Sequence, residues 1–355
     1  MQKTVLCKVE DYSRIVSSIR ATIEGVPPQI NIVNILRKHG CIYLLSKHLP
    51  AQKMNSFLRF NSIAIGKRYA ICKPLFQFLW ENHIKFVVMK GAVLSQAAYG
   101  NFAIRKSSDI DLFVSRDCID QVKKHLLDLG FVQGRVTAKG IVPFNRADLI
   151  FYTTQSHQLA PFVKRVGGSL LQYINLDINT NLLWGESNQY LDSEVALSHW
   201  EETEICGVRI KKFTPEFEFI ALCLHHYKDM NSMYLLYNGS LTLNLFCDIY
   251  FYIVNGGVDF SCVKKICDKY QIRGVIYYCI YYTNEIFGGL EEYLNLFFDL
   301  DAHNNLDKFG TEKANQKAWN CSFYQRLFSD DFNQYFRALL NENDMRKIQD
   351  NQIHI

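Results

Sequence analysis

The chain has 355 residues, 48% of them hydrophobic and 21% charged, and a formal net charge of +4. That length allows two or three domains and a substantial core. Lysine and arginine are scattered rather than gathered into stripes, which argues against a binder of long nucleic acid, and no apolar run reaches membrane-spanning length.

The first residues, Met1 to Asp11, hold no apolar segment of signal-peptide length. The 11 cysteines include no C-x-x-C pair, and the closest two, Cys262 and Cys267, fit no zinc spacing. Most cysteines sit in apolar settings and read as small hydrophobes in a reducing cytoplasm. Residues 12–83 have helical spacing, interrupted at residues 25–28 by Gly-Val-Pro-Pro and again at Leu49-Pro50.

The short apolar run Phe86-Val-Val-Met89 predicts a buried strand, and Lys90-Gly91 leads into a helix over residues 92–99. A strand that turns through glycine into a helix leaves free N–H groups at the positive end of the helix dipole, which suits phosphate. Soon afterwards, Asp109 and Asp111 stand two apart at the head of a second strand. Their side chains share one face while Ile110 and Leu112 take the other. Paired carboxylates on a half-buried strand repel each other unless a cation neutralises them, and magnesium, with its preference for oxygen ligands and substrate phosphates, is the expected ion. A bare D-x-D is more often a pair of surface acids. Here the preceding strand, glycine turn, helix, Arg105 and Ser108 point to phosphoryl or nucleotidyl chemistry.

Further on, residues 117–130 read as a helix capped by Asp117 and stopped by Gly130. Residues 131–136 and 148–153 read as strands separated by a loop at 139–143. Residues 155–169 read as a mobile polar loop carrying His157, Lys164 and Arg165. Residues 170–179 form a strand that delivers Asp177, with Asn175 and Asn179 on the same polar face. Asp148, at the opening of its own strand, competes with Asp177 as a third carboxylate. From Thr214-Pro215 onward the chain is helical, with a turn at Gly256-Gly257, a helix at 275–287 and a polar end after Asp301. The expected organisation is an N-terminal helical region over 1–83, a catalytic unit over 84–212 and a C-terminal helical domain over 213–355.

Lys90-Gly91, Tyr99, Arg105 and Ser108-Asp109-Ile110-Asp111-Leu112 resemble the signature of the uncharacterised nucleotidyltransferase family within the polymerase β-like superfamily. Tyrosine lies six before arginine, and arginine four before the first aspartate. The resemblance runs from about Ile35 to about Asp248. It implies an α+β fold: a small mixed sheet forming a polymerase β-like palm, with flanking helices. It further implies that Asp109, Asp111 and Asp177 hold two magnesium ions, with manganese able to substitute, and that Lys90, Gly91, Arg105 and Ser108 contact the nucleoside triphosphate, ATP among them. The family's acid-bearing strand precedes a helix containing tryptophan, as at Trp184. Its helical histidine motif matches His225-His226, so that Tyr99, His225 and Asp248 become candidate contacts to acceptor or base. Tyr99 reads more readily as packed beneath the loop, and for His225 and His226 a satisfied core histidine is at least as good a reading. The implied reaction moves a nucleoside monophosphate to a hydroxyl of a small molecule, protein or peptide and releases pyrophosphate, with no membrane involved. The alternative is a non-catalytic nucleotide-binding or interaction module.

Overall fold

The structure is a computed structural model that describes residues 9–352 except Ser169, Gly185, Glu186, Asn188, Ser240 and residues 312–315. The amino-terminal segment read for a leader therefore lies, as far as Lys8, outside the described residues, as does Ser169 at the end of the expected basic loop. Packing divides the chain into two units. A sheet-containing unit takes residues 55–225 and 251–271, and a mostly helical unit takes the described parts of 1–54, 226–250 and 272–353.

The strands of the first unit are β1 (Phe86–Met89), β2 (Asp109–Val114), β3 (Val132–Thr137), β4 (Gly140–Pro143), β5 (Phe162–Arg165), β6 (Tyr173–Asn179), β7 (Trp200–Ile205) and β8 (Val208–Phe213). They form one mixed sheet in the order β4-β3-β5-β6-β2-β1-β8-β7. β2 runs parallel to β6 and antiparallel to β1, and β1 runs parallel to β8. The expected mixed sheet with flanking helices is present, with more strands than the sequence indicates. β1 is buried along its whole length, which is why it reads as an unbroken apolar run.

Alternation along β2 and β6 gives the sheet two unlike faces. Ile110, Leu112, Val114, Ile174, Leu176 and Ile178 join Leu75, Phe76 and Leu79 of a long helix, Ala51–Glu81, in the main core. Val122 and Leu126 of the helix Ile119–Asp128 close the same core. The intervening residues carry the carboxylates. The stop of that second helix is as expected: Gly130 has φ +81°, and the Phe131 and Gly130 N–H groups donate to Leu126 and Leu127 carbonyls at 3.0 and 2.9 Å.

Several local expectations fail for identifiable reasons. Asp148 opens a helix, Arg146–Gln155, rather than a strand. Asn145 accepts from the Asp148 N–H, and Asp148 accepts from the Asn145 N–H, each at 3.0 Å, forming a capping box that outweighs the β-branched residues downstream. Residues 139–143 contribute β4, which forms a hairpin with β3. The stretch taken for a mobile basic loop contains β5, an interior strand whose Phe162 and Val163 are buried. Asp117 lies in a 3-10 turn and caps nothing, and Trp184 lies outside any helix.

In the helical unit, Arg20 donates to the carbonyls of Ile286 and Glu285 at 2.6 and 2.9 Å, satisfying the end of the helix Arg273–Phe287. No helix among the described residues is long and apolar enough to cross a membrane.

Candidate active site

β1 ends at Met89, paired with Asp111 across the antiparallel ladder. The chain then turns through Lys90 (φ +54°) and Gly91 (φ +47°) into the helix Gly91–Tyr99. A lysine held in the left-handed region costs about 1–3 kcal/mol, and such strain collects at functional turns. The positive φ favours glycine at 91, and a Cβ there would meet Ser107 Oγ at a tight 3.0 Å. Ser107 Oγ in turn donates to the Asp109 carbonyl at 2.9 Å. The helix start thus lies close to the serine that leads into the strand of acids.

Across the parallel ladder Asp109 pairs with Asn175 and Asp111 with Asp177. Paired residues on neighbouring strands lie about 5 Å apart with side chains on one face, so the third carboxylate stands beside the second. Lys90 Nζ meets Asp111 Oδ1 at 3.0 Å, and Asp111 is only 8% exposed. Burial raises the Asp109 pKa, and the neighbouring Asp111 charge raises it further, against the opposing charges of Lys90, Arg68 and Arg105. Arg68, from the long helix, is 4% exposed, and its Nε has no hydrogen-bond partner among the described residues; burial lowers its pKa while Asp109 raises it.

The helix Arg146–Gln155 brings Tyr152 towards the same acids. Burial raises its hydroxyl pKa, followed by the charges of Asp177 and Asp148. Asp148 spends its carboxylate on the capping box, whereas Asp177 is in register with Asp111.

The remaining candidates are placed as follows. Arg105 acts on Asp109 through its charge, and its backbone N–H donates to Ser95 Oγ at 3.0 Å. Ser95 donates to the Asn101 carbonyl at 2.7 Å and so shapes the loop. Ser108 is exposed. The Tyr99 ring packs against Phe251 with centroids 5.2 Å apart. His225 is half-buried on the helix Pro215–Asn231. Asp248 belongs to the helical unit, where it is fully buried with its Oδ2 3.4 Å from His226 Nε2.

Arg68, Ser107 and Tyr152 escape the sequence reading. A signal for Arg68 did exist: it is a lone cation within the stripe Ile65, Tyr69, Cys72, Leu75, all of which are buried. Chemically, three carboxylates on adjacent strands make an all-oxygen donor set. Burial first and the Asp111 charge second raise the Asp109 pKa, against Lys90, Arg68 and Arg105. That set fits a hard divalent cation.

No curated protein matches the chain. Among solved structures, it is similar to an antigenic nucleotidyltransferase-like protein from Paracoccidioides brasiliensis, at 17% identity over 64% of this chain and 92% of that one, with a TM-score of 0.39. A family model described as uncharacterised nucleotidyltransferase matches residues 31–288, well over half the chain. The chain belongs to this nucleotidyltransferase family.

Proposed function

We propose that the protein is a magnesium-dependent nucleotidyltransferase that moves a nucleoside monophosphate from a triphosphate to an acceptor hydroxyl and releases pyrophosphate. The observation that carries this reading is the register of Asp111 with Asp177, at the point where β1 delivers Lys90 and Gly91. Asp109, Asp111 and Asp177 would hold the cations, with manganese an acceptable substitute for magnesium. When bound, these ions supply charge neutralisation at the triphosphate and lower the pKa of the acceptor hydroxyl. The backbone N–H groups at Gly91 face the phosphates, and Arg105 adds a fork of donors. Lys90, paired with Asp111 in this structure, would release that carboxylate and take up the triphosphate. Asp177 receives the acceptor proton. Ser108, exposed beside the acids, serves as a hydroxyl contact.

Incubation with labelled nucleoside triphosphates, magnesium and cell extract tests the reading. Label should appear on a small molecule or a protein and disappear with Asp111→Asn. Absence of transfer with every nucleotide, or transfer that survives Asp111→Asn, contradicts it.

A further inference from the structure

The last two turns of the helix Pro215–Asn231 carry two adjacent histidines and an aspartate, His225, His226 and Asp229. Earlier in the helix, Phe217, Phe219, Ile220, Leu222, Cys223 and Leu224 are buried, so this is an inner helix rather than a surface one. The three polar residues are set at different depths. His226 is 1% exposed, whereas His225 and Asp229 are half-buried.

Helix geometry gathers them. Asp229 stands four residues after His225 and three after His226, the two spacings that make side chains neighbours on a helix. One nitrogen of each histidine and one carboxylate oxygen of Asp229 all lie within 4.8 Å of one another. Ligand atoms about 2.0–2.2 Å from a common ion stand up to about 4 Å apart, so changes in side-chain torsion bring this set onto one ion. All three fall on consecutive turns of one helix, which fixes their spacing. A fourth residue supports them. Asp248, from the helix Leu243–Asn255, is wholly buried, with its Oδ2 3.4 Å from His226 Nε2. A carboxylate in that place fixes the ring orientation of a metal-bound histidine and raises its basicity.

The donor set selects the ion. Imidazole nitrogen suits zinc, cobalt and nickel, and it is a poor match for magnesium, which keeps to oxygen. The acids on β2 and β6 make the opposite selection. Two imidazoles and one carboxylate also form the protein part of an open tetrahedral zinc site, in which water takes the fourth position. Buried His226 anchors the deep side, and half-buried His225 and Asp229 leave the ion a way in.

We infer that His225, His226 and Asp229 bind a single divalent transition-metal ion of the zinc class, with Asp248 holding His226 in place. The site shares no residue with the acids to which magnesium is assigned, and the inference does not rest on the nucleotidyltransferase reading.

Cobalt titration of the full chain, stripped with a chelator and then held in excess magnesium, tests it. The visible absorption of nitrogen-bound cobalt should rise in one saturable phase and disappear when zinc is added. His225→Gln and Asp229→Asn should each weaken cobalt binding by about tenfold or more, and Asp111→Asn should leave it unchanged. Both substituted positions are half-buried, so each variant should unfold at the temperature of the metal-free wild type. X-ray absorption of the zinc-loaded wild type needs no variant and should show imidazole scattering. A shell of oxygen alone, the absence of a saturable cobalt signal, or equal cobalt binding by the wild type and His225→Gln overturns the inference. Loss of the cobalt signal in Asp111→Asn overturns it as well, because the ion would then belong to the acids.

Discussion

On β2 and β6, Ile110, Leu112, Ile174, Leu176 and Ile178 point into the main core, while Asp109, Asp111, Asn175 and Asp177 occupy the alternate positions. The apolar face gains stability from burial, at about 25 cal/mol per Å² removed from water. The acidic face works against it, because carboxylates crowded in partial burial repel each other and resist ionisation. The same strands thus divide by residue parity: one face is apolar and joins the main core, and the other carries the carboxylates to which we assign the cations.

Substitution on each face should separate these roles. Asp111→Asn should cut nucleotide transfer by roughly a thousandfold or more while leaving the fold intact, as judged by initial rates and circular dichroism. Leu112→Ala, one residue along, should cost about 2–5 kcal/mol in denaturant unfolding yet leave kcat per folded molecule nearly unchanged. Equal loss of activity from both would erase the distinction.

The turn that joins the faces gives a smaller effect. Gly91→Ala forces a side chain into the left-handed region and against Ser107 Oγ. We expect about 1–2 kcal/mol of destabilisation, with nucleotide affinity about tenfold weaker by calorimetry. An alanine variant with unchanged affinity would show that the phosphates are held elsewhere.

A buried acid remote in sequence from the D-x-D pair sharpens the comparison through pH. Glu218 is wholly buried, accepts from the Tyr252 hydroxyl at 2.9 Å, and lies 3.8 Å from Lys212 Nζ. Burial pushes its pKa from 4.5 to about 7. A carboxyl whose folded pKa is raised costs stability progressively as pH climbs from the unfolded value to the folded one. The cost is complete above about 7 and absent below about 4.5. Glu218→Gln should therefore stabilise the protein at pH 8, by up to roughly 3 kcal/mol, and have little effect at pH 4. Thermal unfolding at the two pH values checks this; a stabilisation of the opposite pH dependence would contradict it.

The parts legible in the sequence are those whose signals are local. β1, the Lys90-Gly91 turn, the D-x-D pair and β6 each announce themselves within ten residues, through an apolar run, a glycine or a strict alternation. Harder cases depended on distant partners. β5 reads as polar loop because its buried Phe162 and Val163 are followed by Lys164 and Arg165, and only pairing with β6 makes it a strand. β7 and β8 form an outer hairpin whose β7 is largely exposed, so no apolar pattern marks it. Asp148 reads as a strand opening because strand-forming residues follow it, although Asn145-Arg-Ala-Asp148 carries the capping pattern. Arg68 sits on a helix far upstream of the aspartate it faces, and no spacing rule connects them.

The central claim is that Asp109, Asp111 and Asp177 share divalent cations. Manganese titration followed by electron paramagnetic resonance, comparing the wild type with Asp177→Asn and Asp148→Asn, tests it most directly. The account predicts saturable binding that Asp177→Asn weakens by about tenfold or more and that Asp148→Asn, with its carboxylate committed to a helix cap, leaves unchanged. Manganese binding that is absent from the wild type, or indifferent to Asp177→Asn, would contradict it.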